Sequence, residues 1–574
     1  MGTPDPPQRT ESSYWHWLAL GAVLSLLYIG ALTCIYRDDI RFAFDALSYL
    51  ELARDIQDGR YSAMADPYWS PLYPSLLSIG MPHGPNNIPS RTHLLTWQGI
   101  QWAVLAFAFC FFLSSLLRLR VHERTATVIW AGVAFLFFAS FHAKLYLFTY
   151  SPDLLVAIVV FFALGIVTRT LLEPHRVALW VYLGAVLAVG YFSKAVFFPS
   201  SLLLIALLAV LRWRGRLRLW SPLIATTVFI ALTSPLWLAL SASAGALTFG
   251  ISGRLNYAWH VNQYEKHFGW RGKEPGSGVP LNPVRVLSEN PAVLEFTRHG
   301  GGTYPLWKDP AYWHEGIVTR LSLSQLLSNI AVNVRGIWRA LVLWPLILLP
   351  SLVLLIARGR RGLRTRCGTS ALFIWPALVI SGYCLVAIES RYMVPLVVAA
   401  VVSALWLAPH EKPIARLVFY GQLLCLFAAS LWMVATSVRN PSTNPSVLDG
   451  RWSYISLMEN YLCERGIRAG DRIATTGRQW EMDSLFWATR LGTQVASLVK
   501  TGKRNAIPEY RWNEILVDWQ RAGMDAIVIR CLTETGVMLP PEAPTTACFG
   551  GIPAALQMER VPGTPYYVRI LKGD

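Results

Sequence analysis

The sequence predicts a polytopic α-helical membrane protein of about eleven spans that ends in an α/β domain. Three observations predict it. Of 574 residues, 54% are hydrophobic and 15% are charged, with a mean hydropathy of +0.39. The apolar residues form uncharged runs, and roughly 17–25 such residues span a bilayer core. The arginines collect in short loops between the runs, as they do in cytoplasmic loops. A formal net charge of +17 would suit a nucleic-acid binder. That placement, with no zinc-finger or helix-turn-helix pattern, points away from nucleic acid.

The runs place spans near 15–36, 94–117, 125–142, 153–172, 177–193, 195–211, 220–245, 340–357, 369–388, 393–409 and 417–437. The first is too long for a signal-peptide core and no A-x-A cleavage site follows it, so a retained helix is expected. An odd count puts the termini on opposite sides. With the N-terminus in the cytoplasm, four basic clusters fall inside: Arg118, Arg120 and Arg124; Arg212, Arg214, Arg216 and Arg218; Arg358, Arg360, Arg361, Arg364 and Arg366; and Lys412 with Arg416. The short outer loops hold little beyond Lys144, Lys194 and Arg391. This is the asymmetry of the positive-inside rule. The expected organisation is a cytoplasmic N-terminus (1–14), a transmembrane domain (15–437) with long outer loops at 37–93 and 246–339, and a soluble extracytoplasmic domain (438–574).

In the tail, "RIATT" (472–476), "TQVASLV" (493–499), "DAIVIR" (525–530) and "YYVRIL" (566–571) have strand composition. Two stretches of helical periodicity alternate with them. No G-x-G-x-x-G or Walker pattern follows, so no nucleotide site is inferred. The eight cysteines show no metal-ligand spacing. Cys34, Cys110, Cys367, Cys384 and Cys425 lie in or beside apolar runs as packing residues. Cys531 and Cys548 are equally compatible with a disulfide or with free thiols, and Cys463 is left over.

Ionisable groups at membrane depth are costly and are functional candidates by default. Four places qualify, all on the outer side. "DALSYLELARDIQ" (45–57) puts Ala46, Tyr49, Leu50, Ala53 and Ile56 on one face, the pattern of an interfacial helix. Asp45 stands at its start, and Gly59 and "SPLYP" (70–74), which contains Tyr73, turn the chain back. "TYSPD" (149–153) sets Asp153 at the head of a span. "GYFSK" (190–194) isolates Lys194 between two apolar runs, where it either snorkels or neutralises a phosphate. "AIESRYMVP" (387–395) carries Glu389, Arg391 and Tyr392 in a short turn. Arg391 has the fork suited to phosphate, and Glu389 is a candidate partner for it.

This set resembles the GT-C-fold glycosyltransferases that use polyprenyl-phosphate sugars: glycosyltransferase family 39 and relatives, the class of protein O-mannosyltransferases and aminoarabinose transferases. The matching features are Asp45, Tyr49 and Ala53 followed by Gly59 and "SPLYP", the acid Asp153 at a later helix head, "GYFSK", and "SRYMVP" near the last helices. The outer stretch "GGTYPLWKDPAYWHEG" (301–316) is similar to aromatic-rich segments of bacterial members. Ala46 stands where many members have a second acid. Asp38 and Asp39 are nearby, but only Asp45 has a tyrosine one turn on.

The resemblance implies a GT-C-like fold in a bacterial inner membrane. It implies sugar transfer, with inversion, from a polyprenyl-phosphate donor to a lipid, glycan or protein acceptor. Asp45 and Asp153 would be catalytic, and Lys194 and Arg391 would bind the donor phosphate. Tyr49, Tyr73, Tyr304, Lys308, Asp309, Trp313, Glu389 and Tyr392 would contact substrate. No cofactor is implied; the question of a divalent metal stays open, and because no ligand cluster stands out none is expected to be essential. The alternative is a transporter or a flippase for lipid-linked sugars, a class in which internal repeats and midplane helix breaks are common; neither is seen here.

Overall fold

The computed structural model describes residues 12–35, 44–81, 91–119, 124–140, 150–213, 220–266, 270–296, 303, 309–341, 369–407, 413–439, 452–477, 486–500, 507–531, 548 and 551–572. The apolar runs among them are helices, because in lipid a helix satisfies its backbone polar groups internally. In chain order the helices are α1 (Ser12–Ile35), α2 (Phe44–Gln57), α3 (Leu72–Ser78), α4 (Arg91–Leu119), α5 (Arg124–Ala139), α6 (Asp153–Leu172), α7 (Val177–Ser193), α8 (Phe197–Trp213), α9 (Trp220–Ala244) and α10 (Ser252–His260), of which α2 and α10 are polar on one side. After a β-hairpin come α11 (Pro310–Trp313), α12 (Leu323–Leu341), α13 (Ala371–Val386), α14 (Ser390–Leu407) and α15 (Pro413–Arg439).

Among the described residues five helices are long and apolar enough to cross a membrane: Thr92–Leu119, Asp153–Leu172, Trp220–Ala244, Ser390–Leu407 and Pro413–Thr436. His16–Ala31, Thr125–Ala139, Val177–Ser193, Phe197–Leu211 and Ala371–Val386 are apolar but shorter. The eleven-span reading needs these to cross as well. The span expected near 340–357 lies outside the described residues beyond Leu341.

The core of the helical part is aromatic. Phe109 stacks on Phe138 at 4.6 Å, and the Trp406 indole donates to the Leu116 carbonyl at 2.9 Å. The helix at the first motif departs from its expected setting. Nearly every residue of α2 is buried, including Ser48, Glu51 and Asp55 on the polar side. It is enclosed by protein rather than lying on a bilayer with one face in water. Part of the enclosure comes from the long segment between α9 and α12, where the Thr303 N–H donates to the Glu51 carboxylate.

The tail folds around a seven-stranded sheet in the order β1-β2-β4-β3-β5-β7-β6. β3 (Arg472–Gly477), β4 (Gln494–Lys500), β5 (Ala526–Arg530) and β7 (Tyr566–Ile570) are the four strands expected from composition; β6 (Glu559–Arg560) is a short edge. The other edge comes from the segment between α10 and α11. β1 (Arg285–Glu289) and β2 (Ala292–Glu295) form a hairpin, and β2 joins β4 antiparallel with Val293 opposite Val499.

Side chains alternate across strands, so the sheet buries both faces. Ile527, Ile529 and Val499 meet Trp512, Ile515 and Trp519 of α18 (Glu509–Arg521). Ala526, Val528 and Leu498 belong to the core shared with the transmembrane part, together with α16 (Trp452–Glu464) and α17 (Phe486–Leu491). Cys531 and Cys548 form a disulfide, with Cα atoms 5.0 Å apart.

Candidate active site

Charged residues reach the site because helices stop there. Asp45 lies in the first turn of α2, where unpaired backbone N–H groups favour a carboxylate. Gly59, at φ +82°, ends that helix, and the Arg60 N–H closes onto the Asp55 carbonyl at 2.8 Å. Lys194 is the extended residue between α7 and α8. The break is tight: a Cβ on Gly190 would lie 2.5 Å from the Phe197 ring and 3.0 Å from Val159, so only glycine lets the chain fold back here. Arg391 lies in the first turn of α14, just past the end of α13. The last carbonyls of α13 take side-chain donors in place of a helical continuation. Asn329 of α12 donates to Val386 at 2.7 Å, and Asn333 donates to Cys384 at 2.9 Å.

These ends meet in one ion cluster. Asp153 is 2% exposed. Its Oδ1 lies 3.3 Å from Lys194 Nζ, its Oδ2 lies 3.5 Å from Arg391 Nη1, and the Ser151 hydroxyl donates to Oδ2. Arg391 Nη2 lies 3.6 Å from Asp45 Oδ2, so one guanidinium spans both carboxylates. The Asp45 side chain is 34% exposed and has the looser hold. Lys194 Nζ sits 3.7 Å above the ring of Tyr392, which stacks on Tyr383 at 4.8 Å. Such a cation–π contact retains a cation where water is scarce. Two carboxylates therefore pre-orient two cations that would otherwise repel, and the four charges cancel.

The cluster faces a cleft of about 610 Å³. Tyr68, Trp69 and Trp259 line it, as do the polar side chains of Asn256, His260, Lys266 and Glu389. Leu203 of α8 and Leu378 and Val379 of α13 also line it. Tyr49 supports Asp45 from one turn away, edge-on to Trp69 at 4.9 Å and to Tyr73 at 5.0 Å. Burial, then the Asp45 charge, push the Tyr49 phenol well above its ordinary value, and the same two causes raise Tyr68. Both therefore stay protonated as donors.

Tyr73 lies behind Tyr49, where its hydroxyl accepts the Ser151 N–H at 2.8 Å and ties α3 to the head of α6. Glu389 lines the cleft, but the ion pairs of Arg391 go to Asp45 and Asp153. The Glu389 charge acts instead on Lys266, opposing the downward shift that burial imposes on that amine. Asp309 accepts the Ala311 N–H at 2.9 Å as the cap of α11, and Trp313 packs edge-on against Phe296 at 5.8 Å; neither lines the cleft. Tyr304 and Lys308 lie outside the described residues. Among the described residues no three His, Cys, Asp or Glu side chains gather as a metal centre requires.

The sequence reading passed over the wall built by "NYAWHVNQYEK" (256–266) and by Tyr68 and Trp69. The signal was an aromatic and polar run directly after a span. In that wall Lys266 Nζ lies 3.4 Å from His260 Nε2. Burial first, then Lys266, pull the imidazole from 6.5 to about 4. Between those two values the unfolded chain takes up a proton that folded His260 refuses. The stability it contributes is full above pH 6.5 and is lost as the pH falls towards 4. His260→Gln is therefore expected to narrow the fall in melting temperature between pH 7.5 and 4.5 by a few degrees, read by thermal unfolding in detergent.

The architecture so far is that of a helical membrane protein with an acid–cation cluster at its helix ends and a C-terminal sheet. No family pattern and no curated protein matches the chain. Among solved structures it is similar to ArnT from Cupriavidus metallidurans bound to undecaprenyl phosphate. That match has a TM-score of 0.45 and 12% identity, over 96% of this chain and 98% of that one. It is also similar to the oligosaccharyltransferase AglB from Archaeoglobus fulgidus in complex with an inhibitory peptide and a dolichol-phosphate. Here the TM-score is 0.44 and the identity 13%, over 90% of this chain and 70% of that one. Identities this low assign the chain to neither protein's family.

Proposed function

We propose that the protein is an integral-membrane glycosyltransferase that moves a sugar from a polyprenyl-phosphate donor to a lipid, glycan or protein acceptor on the extracytoplasmic face. The observation that carries this reading is the pair of carboxylates bridged by Arg391, with Lys194 beside them, on a cleft lined by both aromatic and aliphatic side chains.

Each part has a task. The aliphatic strip of Leu203, Leu378 and Val379 suits the first isoprene units of the donor. The faces of Tyr68, Trp69 and Trp259 suit a sugar ring. Asp45, the more exposed acid, takes the proton from the acceptor hydroxyl or amine as that atom attacks the anomeric carbon. The bond from that carbon to the phosphate oxygen breaks, and the oxygen keeps the electron pair. Lys194 and Arg391 stabilise the charge that collects on the departing phosphate, where low dielectric strengthens the interaction. Attack opposite the leaving group inverts the anomeric centre. Asp153 keeps the two cations aimed.

The test is transfer by membranes containing the protein from a radiolabelled pool of polyprenyl-phosphate sugars. Label is expected in a new product that is absent from membranes lacking the protein, and that product names the acceptor class. Movement of labelled donor across the bilayer without any transfer would replace this reading with a flippase.

A further inference from the structure

We propose that the C-terminal domain positions the catalytic helix α2, acting through Thr489, Thr303 and Glu51. This rests on the reading of Asp45 as the base.

Glu51 lies six residues past Asp45 on α2 and is 3% exposed. A carboxylate that deep in protein is costly unless hydrogen-bonded. The Thr303 N–H, from the segment between α9 and α12, donates to Glu51 Oε1. The Thr303 hydroxyl in turn lies 2.7 Å from the Thr489 hydroxyl on α17, and both threonines are buried. The anchor of this chain is fixed, because Arg490, next to Thr489, is paired at 2.7 Å with Glu459 of α16.

A second bridge reaches another segment beside the cleft, next to the lining residue Lys266. Lys500, the last residue of β4, pairs with Glu265, the neighbour of Lys266. The β1–β2 hairpin, from the same segment as Thr303, is itself an edge of the sheet. The domain thus holds both the helix that carries Asp45 and the segment that carries Lys266. An ion pair as exposed as Lys500–Glu265 contributes little by itself. The buried threonine contact is the one whose loss α2 should feel.

The test compares wild type, Thr489→Ser and the double variant Thr303→Val/Thr489→Val, each as the full chain in detergent. Replacing both hydroxyls by methyl groups of the same shape removes the bond without leaving a buried donor unpaired, so the fold is kept. Hydrogen exchange is read at the amides of residues 46–56 without substrate, together with kcat and donor KM. In the double variant, exchange on α2 should rise about tenfold and kcat should fall about tenfold, with KM within about twofold. Thr489→Ser should match wild type in both. Unchanged exchange on α2 in the double variant overturns the tie whatever the activity does. Faster exchange with unchanged kcat overturns the positioning role. If wild type itself transfers no sugar, the glycosyltransferase reading fails on its own, and the exchange data alone decide whether the domain holds α2.

Discussion

Asp45→Asn is expected to lower kcat for sugar transfer by about 10²–10⁴-fold, the range over which a positioned general base contributes. Donor KM should change little. The substitution keeps the shape of the side chain and removes its capacity to take a proton. Asp45 suits this test because it is the acid with the looser hold: one contact to Arg391 at 3.6 Å and a third of its surface open to the cleft. The folded protein should therefore tolerate the change, and expression and melting temperature should match wild type. Asp153 offers no such clean experiment. It is buried against Lys194 and Arg391, and neutralising one member of a buried pair costs roughly 3–5 kcal/mol by leaving the other charge uncompensated. A loss of activity in Asp153→Asn would come with a loss of stability. The measurement is initial rate against donor concentration at matched protein levels. Equal rates for wild type and Asp45→Asn would reduce Asp45 to a carboxylate that merely suits a helix start.

The helical frame was legible because bilayers restrict the chain so strongly. The runs expected at 153–172 and 177–193 coincide with α6 and α7 residue for residue; Pro152 caps the start of α6, and Pro174 follows its end. The four charged residues that form the cluster stood out for the same reason: an ion in an apolar chain is rare and needs a partner. Which partner each took was not legible. Glu389 is two residues from Arg391, yet the turn at 387–389 sends the guanidinium towards two acids brought in from α2 and α6. The segment between α10 and α11 was the least readable part. "RVLSE" and "AVLE" are too short and too polar to declare themselves as strands, and they are strands because β4 offers an edge to pair with. Likewise the aromatic setting of Asp309 gave no sign that its carboxylate caps α11. Amphipathic spacing suggested that α2 floats at the interface, but spacing reports which face is apolar and says nothing of what covers the other.

Arg391→Lys should be nearly as damaging as loss of the base, although the charge is kept. The guanidinium reaches Asp153 through Nη1 at 3.5 Å and Asp45 through Nη2 at 3.6 Å, and it donates to the Tyr392 hydroxyl at 3.3 Å. An ammonium is a single point with no rigid fork and cannot hold those three groups in one plane. A lysine at this position would settle on one carboxylate, release the other, and meet a leaving phosphate with one contact in place of two. Removing one oriented donor from a site that stabilises developing charge typically costs about 10²–10³-fold in kcat, and a loss of that order is expected. Lys194→Arg is the matched comparison. Lys194 acts as a point charge over the Tyr392 ring, a position that a guanidinium also fills well, so that variant should retain substantially more activity. If instead the two exchanges cost the same, charge alone matters at both positions, and the bridging geometry of Arg391 is incidental to catalysis.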